Sequence, residues 1–461
     1  MRRNAWKKTL LAGGICLMLA SYTYAGVSPE EAAQLKTTLT PMGAERAGNK
    51  EGTIPAWTGG YTTPDPNYKG GRRSDPFPGD KPLFTITAKN MDQYAAKLDD
   101  GTKALLKKYP ESYHLDVYQT RRTAAAPQWV YDNTYKNALH GQMVELPSGP
   151  TAEHVFGGVP FPIPKTGAEA MWNHRLAWQG PDQYAVGTQY EITGDGRAVL
   201  TSDNVGETVL PYYYKDLGSV EAYEKKYDGN YWSVRLITTA PAIRAGEAIV
   251  GRQNLDDDKT HAWVYLTGQR RVRMLPNPCC DTPSPAMAGL MAFDELFVYS
   301  NRMDRFNWKL LGKQEMYIPY NNNRVMLPTK DSAVIGKHFL NPDLVRWELH
   351  RVWVVEAKLK PGHRHPAVRS LYYIDEDSWW AVLGDRWDAN GRLWKQTWDL
   401  LVVTPDLPGV QAAVFGFYDM RASSWYVGNL MNEKQIQLAL PKNHYPERNF
   451  TSDALASESV R

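Results

Sequence analysis

Residues 349–404 constrain this chain more than any other stretch. They read LHRVWVVEAKLKPGHRHPAVRSLYYIDEDSWWAVLGDRWDANGRLWKQTWDLLVVT, four β-rich runs separated by KPGHRHP, DEDS and DANG. Clusters of Gly, Pro, Asp and Asn close hairpins, so the spacing predicts an unbroken antiparallel meander. Its runs carry Trp353, Tyr372, Tyr373, Trp379, Trp380, Trp387, Trp394 and Trp398. Rings of this size bury much surface and are rarely needed in such number only to fill a core. A sheet so furnished is suited to enclosing something.

The rest of the chain extends the same pattern. Ser28-Pro29-Glu30-Glu31 opens a short helix through a capping box. Residues 41–82 are rich in Gly, Pro, Asn and Asp but carry Trp57, Tyr61 and Tyr68, which marks an ordered arm. Apolar residues at three- and four-residue steps predict a helix over 88–108, and further helices are expected over 167–178 and 284–299. Strands are expected over 116–123, 128–133, 183–193, 197–203, 207–215, 231–239, 246–255, 261–267, 269–275, 411–419 and 423–428. Strand following strand, without regular alternation with helices, argues against a parallel α/β sheet. The fold class expected is mainly β, a large curved antiparallel sheet or incomplete barrel with a few covering helices. The organisation expected is a leader at 1–25, an arm with helices at 26–114, the sheet domain at 115–440 and a polar tail at 441–461.

The first 25 residues have the makeup of a cleaved export signal. Arg2, Arg3, Lys7 and Lys8 precede an apolar run from Thr9 to Ala20, and Thr23-Tyr24-Ala25 offers the small residues of a cleavage site after Ala25. That run is shorter than the roughly 20 apolar residues of a membrane span, and no later stretch approaches this length. The expectation is a periplasmic protein without an integral membrane span. Losing four basic residues takes the formal net charge of +3 slightly below zero, which leaves no field to attract nucleic acid. Two cysteines then remain, the neighbours Cys279 and Cys280. They read either as two small buried residues or as a redox-sensitive vicinal pair, and cannot staple distant elements to each other.

Motifs of catalysis are scarce. The chain has no G-x-S-x-G elbow, H-E-x-x-H, C-x-x-C, phosphate loop or dinucleotide fingerprint. His363 and His365, with Glu356 or His350 nearby, form a weak metal pattern against the plainer account of a solvated hairpin tip. Asp256-Asp257-Asp258 and Asp375-Glu376-Asp377 have the composition of turns. No metal, cofactor or catalytic residue is assigned. Arg270, Arg271 and Arg273 are a solvated edge or a charged rim, and Tyr317, Tyr320, Asn321–Asn323 and Arg324 are a turn or a polar entrance.

Longer blocks carry a resemblance. IPAWTGG (54–60), DPFPGDKPLFTITAKNMDQYAAKL (75–98), RRTAAAPQWVYDNT (121–134), GGVPFPIPKTGAEAMWNH (157–174) and HFLNPDLVRWELHRVWVVEAKLKPGHRH (338–365) resemble the bacterial domain-of-unknown-function 1329 family. The resemblance implies a fold similar to the periplasmic lipoprotein-sorting carriers, whose incomplete barrel accepts acyl chains. It also implies an outer-membrane barrel protein and a resistance-nodulation-division exporter as partners. It supplies no catalytic residues.

Strands such as HAWVYL and LHRVWVVEAKL are apolar on both faces, whereas a one-sided sheet alternates cleanly. Either helices and the arm cover the second face as ordinary core, or the sheet keeps an unfilled concavity. On the second account the apolar lining is Trp232, Trp263, Tyr265, Met287, Met291, Phe297, Trp353, Val355, Tyr372, Trp380 and Trp398. The polar rim is then Arg271, Arg273, Tyr317 and Arg324, with the Met-bearing helix at 284–299 as an adaptable lid. The function expected is a carrier for a lipid-like ligand, since a bare sixteen-carbon chain costs on the order of 12 kcal/mol to hold in water. A hydrolase of apolar esters using His350 or His363, and an envelope assembly factor docking through the 41–82 arm, are the alternatives.

Overall fold

The computed structural model describes residues 26–66, 68–441 and 443–458. The export signal expected over 1–25 lies outside these residues. The strands are β1 (Phe84–Ile86), β2 (Leu115–Val117), β3 (Gln142–Leu146), β4 (Gly149–Glu153), β5 (Asp182–Ile192), β6 (Ala198–Val209), β7 (Asn230–Ala240), β8 (Ala248–Asn254) and β9 (His261–Leu266). They continue as β10 (Arg271–Met274), β11 (Phe306–Pro319), β12 (Arg346–Leu359), β13 (Arg369–Asp375), β14 (Ala381–Trp387), β15 (Leu393–Thr404), β16 (Gly409–Asp419) and β17 (Trp425–Leu430). Fifteen of them form one sheet in the order β1-β2-β12-β13-β14-β15-β16-β17-β5-β6-β7-β8-β9-β10, with β11 on the other side of β12. All pairings are antiparallel except β2 with β12. The sheet does not close into a barrel. β3 and β4 form a separate hairpin. The short helix expected at Ser28-Pro29-Glu30-Glu31 is α1 (Pro29–Ala33), with its capping box in place.

The meander expected from the sequence is β12 to β15, extended by β16 and β17. Its interior is filled on both faces. On one side α2 (Asp100–Lys108) aims its first turn at the sheet, and Asp385 accepts from the backbone N–H groups of Asp100 and Gly101, both at 2.9 Å. On the other side the arm covers Trp353, where Trp379, stacked on Trp353, donates to the carbonyl of Met42 at 2.7 Å. On that same side lies α4 (Gly167–Arg175), all of whose residues are buried. For the meander, the account of an ordinary two-sided core is therefore the correct one.

Several local expectations change. The helix expected over 88–108 is a 3-10 segment, Met91–Lys97, followed by α2. Asp99 separates them, because its carboxylate caps the N–H of Thr102 and starts a new helix. The strand expected at 128–133 is instead part of α3 (Gln128–His140), whose buried Val130, Thr134, Asn137 and Ala138 follow helical spacing. The strands expected at 197–203 and 207–215 are one strand, β6, that ends before Pro211. The strand expected over 116–123 is only the short β2. The helix expected over 284–299 is absent. Only 3-10 turns occur there, at Pro285–Met287 and Phe293–Glu295, since Ala288, Gly289, Phe297 and Val298 all take positive φ.

The final segment is less passive than its polar composition implies. A 3-10 turn at Glu447–Phe450 and helix α6 (Ser452–Glu458) follow α5 (Val220–Tyr227) in the helical set. Phe450 and Leu455, each 1% exposed, pack with Val250, Trp263 and Val272 on the outer face of β8–β10. Trp263 is partly covered by this tail. Replacing Phe450 with Ala should lower stability by about 3 kcal/mol, read as a fall in the urea midpoint at unchanged slope.

Candidate functional site

The space that the meander does not leave is found in the other half of the sheet. Across β5 to β9, Gln183, Thr208, Val234, Gly251 and Ala262 stand in register and share one face. The next rung is Gly206, Leu236, Ile249 and Val264. These rungs are rich in small residues, so the concave face is set back where larger side chains would fill it. A Cβ built on Gly251 meets Val234 at an ordinary 3.4 Å, so this glycine is needed for space and not for its backbone. Gly206 differs, because a Cβ there would come within 1.9 Å of the Arg235 carbonyl oxygen.

Residues 278–301 cross over this face as a strap. They enclose a hollow of about 150 Å³, with Met287, Leu296 and Phe297 from the strap above Trp232, Val234 and Ile249 from the sheet. Gln179, Gln183, Gln411 and Asn429 add amides to the walls. Small-molecule sites commonly measure roughly 300–1,000 Å³. The hollow is therefore smaller than a whole sixteen-carbon chain needs, because Trp232, Met287 and Phe297 themselves occupy part of the space.

The strap has little regular structure, and buried charge holds it down. Arg386 donates to the carbonyl oxygens of Asp294, at 2.8 Å, and Val298, at 3.2 Å, and lies 3.4 Å from the Asp294 carboxylate. His365 Nε2 meets the same carboxylate at 2.8 Å, and Lys395 reaches both oxygens of Glu295 at 2.9 and 3.0 Å. Burial works to raise the Asp294 carboxyl, but Arg386 and His365 more than reverse this and hold it at about 2. The same strap bends through positive φ at Phe297, Val298 and Asn301. Such residues cost on the order of 1 kcal/mol each and persist only where their surroundings impose them.

The residues expected to line a site are distributed over several places. Trp232, Met287 and Phe297 wall the hollow. Met291 packs beneath the strap with Phe415, Phe417 and Tyr426. Trp380 walls an adjoining recess and lies edge-on to Phe297 at 5.7 Å. Tyr265 shares with Trp263 the outer face of β9. Trp353 stacks on Trp379 at 6.2 Å, Val355 is fully buried in the meander, and Tyr372 packs against Tyr299 and Trp308. Trp398 lies in a separate cleft with Trp347 and Tyr418.

Of the rim residues, Arg271 and Arg273 pair with Leu266 and Val264 on the edge strand, on the hollow's side of the sheet but outside its lining. Tyr317 packs against Phe84 and Tyr94, and Arg324 donates to the Tyr118 hydroxyl at 2.6 Å, both far along the other half of the sheet. What composition alone did not reveal was the pair of small residues that meet across neighbouring strands. Gly251 on β8 and Ala262 on β9, partners in register, are the signal that points to the vacant face.

The acidic turns and histidines fall into buried ion networks. Arg175 grips Asp257 through both terminal nitrogens, at 3.1 and 2.7 Å. Asp377 pairs with Arg122 at 2.7 Å, and Glu376 with Lys313 and Arg351 at 3.2 and 3.3 Å. Burial tends to lower the pKa of His350, but Asp375 and Glu348 on either side raise it to about 9. A histidine held protonated at neutral pH is not a general base. His363 is exposed, whereas His365 is buried on Asp294, so the two do not converge on a metal and only His363 fits a solvated tip. Among the described residues, His350, Asp375 and Asp377 bring donor atoms within 4.8 Å, but Glu348 and Arg122 already engage His350 and Asp377. Cys279 and Cys280 are free thiols, both buried at the start of the strap.

Fold and hollow together define an open-sheet protein with a strapped apolar cavity. The chain belongs to the family described as "Protein of unknown function (DUF1329)", whose profile matches residues 85–456. It is 37% identical over 468 residues to "Uncharacterized protein PA3922" of Pseudomonas aeruginosa, covering 98% of this chain and 99% of that one. Among solved structures it is similar to a DUF1329 family protein of Desulfovibrio piger, with TM-score 0.40, 13% identity, and 63% of this chain against 97% of that one. It is also similar to the LolA superfamily protein NE2245 of Nitrosomonas europaea, with TM-score 0.37, 12% identity, and 63% of this chain against all of that one.

Asp294→Asn leaves Arg386 buried beside a neutral partner and should cost about 3 kcal/mol in urea unfolding. Because the Asp294 pKa lies below the usual 3.8, its contribution is complete above about pH 4 and is lost as pH falls towards 2. The protection of amides in 278–301 against exchange, taken relative to their intrinsic rate at each pH, should fall over that interval, and in the Asn variant should be low already at neutral pH.

Proposed function

We propose that this protein binds and carries a small apolar or amphipathic molecule in the strapped hollow, within the periplasm. The observation that carries the reading is the hollow itself, a set-back apolar face roofed by a strap that secondary structure does not stiffen. Removing an eight-carbon segment from water into such a space is worth roughly 6 kcal/mol, at about 0.8 kcal/mol per methylene. The amides in the walls give an amphipathic guest its orientation. Met287, with its adaptable thioether, suits a roof that repacks around guests of different shape. Such carriage needs no nucleotide and no covalent step.

Periplasmic location rests on the leader-like residues 1–25, and exchange with an outer-membrane barrel or an exporter rests on the family resemblance. Both belong to the proposal. The hydrolase alternative is less well supported, because neither His350 nor His363 is available as a base beside the hollow.

Purified protein should release a small apolar compound on denaturing extraction, or bind N-phenylnaphthylamine with a rise in fluorescence. Gly251→Leu should fill the hollow and weaken probe binding at least tenfold while leaving the circular dichroism spectrum unchanged. A wild-type protein that is empty by native mass spectrometry and does not bind the probe would end this reading.

A further inference from the structure

A recess of about 30 Å³ adjoins the hollow, walled by His174, Arg175, Tyr231, Tyr299 and Trp380. Gln179, Trp232, Gln253, Leu296 and Phe297 line both spaces, so only side chains divide them. The chemistry of the recess is not that of the hollow. A water needs roughly 10–15 Å³ of such space, so the recess has room for one or two small polar groups.

The hydrogen bonds around the recess can be assigned. His174 Nε2 donates to the carbonyl of Tyr299 at 2.9 Å, and its Nδ1 accepts from the N–H of Ala381 at 3.0 Å, so both ring nitrogens are engaged. The Arg175 terminal nitrogens are engaged by Asp257, and one of them also by the Tyr231 hydroxyl at 3.1 Å. Tyr231 in turn donates to Gln253, whose amide donates to Ser300 at 3.1 Å. Trp380 Nε1 and Arg175 Nε are buried and, among the described residues, have no partner. Trp380 is 2% exposed, and the Arg175 side chain 1%. Buried donors are rarely left unpaired, because each then bears its full desolvation cost.

Charge narrows the class of partner. Asp257 neutralises Arg175, and burial lowers His174 to about 4, so it is neutral at ordinary pH. A carboxylate entering the recess would lose its hydration without gaining an uncommitted positive charge. A carbonyl or hydroxyl oxygen meets no such obstacle. Phe297, held at positive φ, stands between the two spaces, edge-on to Trp380.

We infer that the carried molecule bears a neutral oxygen acceptor, a carbonyl or hydroxyl, which enters the recess beside Trp380 and Arg175 while its apolar part fills the hollow. This rests on the carrier reading and specifies the ligand class for the same site. Octane, octan-2-one and octanoate are suitable probes, compared by displacement of N-phenylnaphthylamine from the full mature chain. Trp380→Phe should weaken octan-2-one about tenfold, the cost of one lost hydrogen bond to a buried group, and leave octane within twofold. Octanoate should bind more weakly than octan-2-one to the wild type.

In ¹⁵N-tryptophan-labelled wild-type protein, one indole N–H signal should move with octan-2-one and stay in place with octane. This measurement decides the matter should the Phe variant not fold. Equal effects of Trp380→Phe on octane and octan-2-one, or no effect on either, would overturn the inference while leaving the carrier reading in place. Octanoate binding more tightly than octan-2-one would overturn the neutral class. Failure of all three probes to displace the dye would leave the recess without a role, and failure of the dye itself to bind would remove the carrier reading too.

Discussion

The pairing of Asp294 and Glu295 with Arg386 and Lys395 is the interaction on which the site depends. The strap supplies no helix and no ladder of its own to hold it over the sheet. Desolvating four charges is expensive, and it is tolerated here because the groups are matched and further hydrogen-bonded, Arg386 to the carbonyls of Asp294 and Val298 as well as to a carboxylate. Those carbonyl contacts also fix the backbone beside Phe297 and Val298, where positive φ aims the Phe297 ring between Trp380 and Phe415. One cluster of charges thus sets the height of the roof and the position of its innermost side chain.

The sheet divides its work along its length. From β12 to β16 both faces are covered, by α2 on one side and by the arm, α4 and the strap on the other. This half is the rigid footing, and Arg386 and Lys395 project from it. From β5 to β9 the hollow's face combines Gly251 and Ala262 with larger apolar residues such as Trp232 and Ile249, and Phe450 and Leu455 pack on the outer face of β8 to β10. Space survives on this face because the strap, held off by its ion pairs, does not press its side chains fully onto Trp232, Val234 and Ile249.

The antiparallel architecture and the hairpin positions were legible in the sequence, because period-two patterning and turn residues act locally. The location of the site was only partly legible. Trp353, Val355 and Tyr372 have the large apolar side chains expected of a lining, yet the arm and α4 cover them, and such covering is a long-range event that a strand's own residues do not encode. Trp232, Met287 and Phe297 reached the hollow because strap and sheet converge there. The strap itself was misread as a helix. Its apolar spacing is helical, but Pro285, Gly289 and the ion pairs select a bent path instead. In α3 the β-prone Trp129, Val130 and Tyr131 are overridden by burial at helical intervals. β11 was not anticipated, since its outer positions alternate with polar residues that resemble a loop.

An open sheet leaves a border, and β10 forms one such border here. A free row of backbone donors and acceptors is a template on which other chains can stack. Arg271 and Arg273 are exposed along that short border strand, and Arg270 just before it departs from extended geometry. Repulsion between two such arginine-bearing margins disfavours edge-to-edge polymerisation. Charges that contribute little to the interior thereby oppose stacking along an edge whose backbone groups are free to pair.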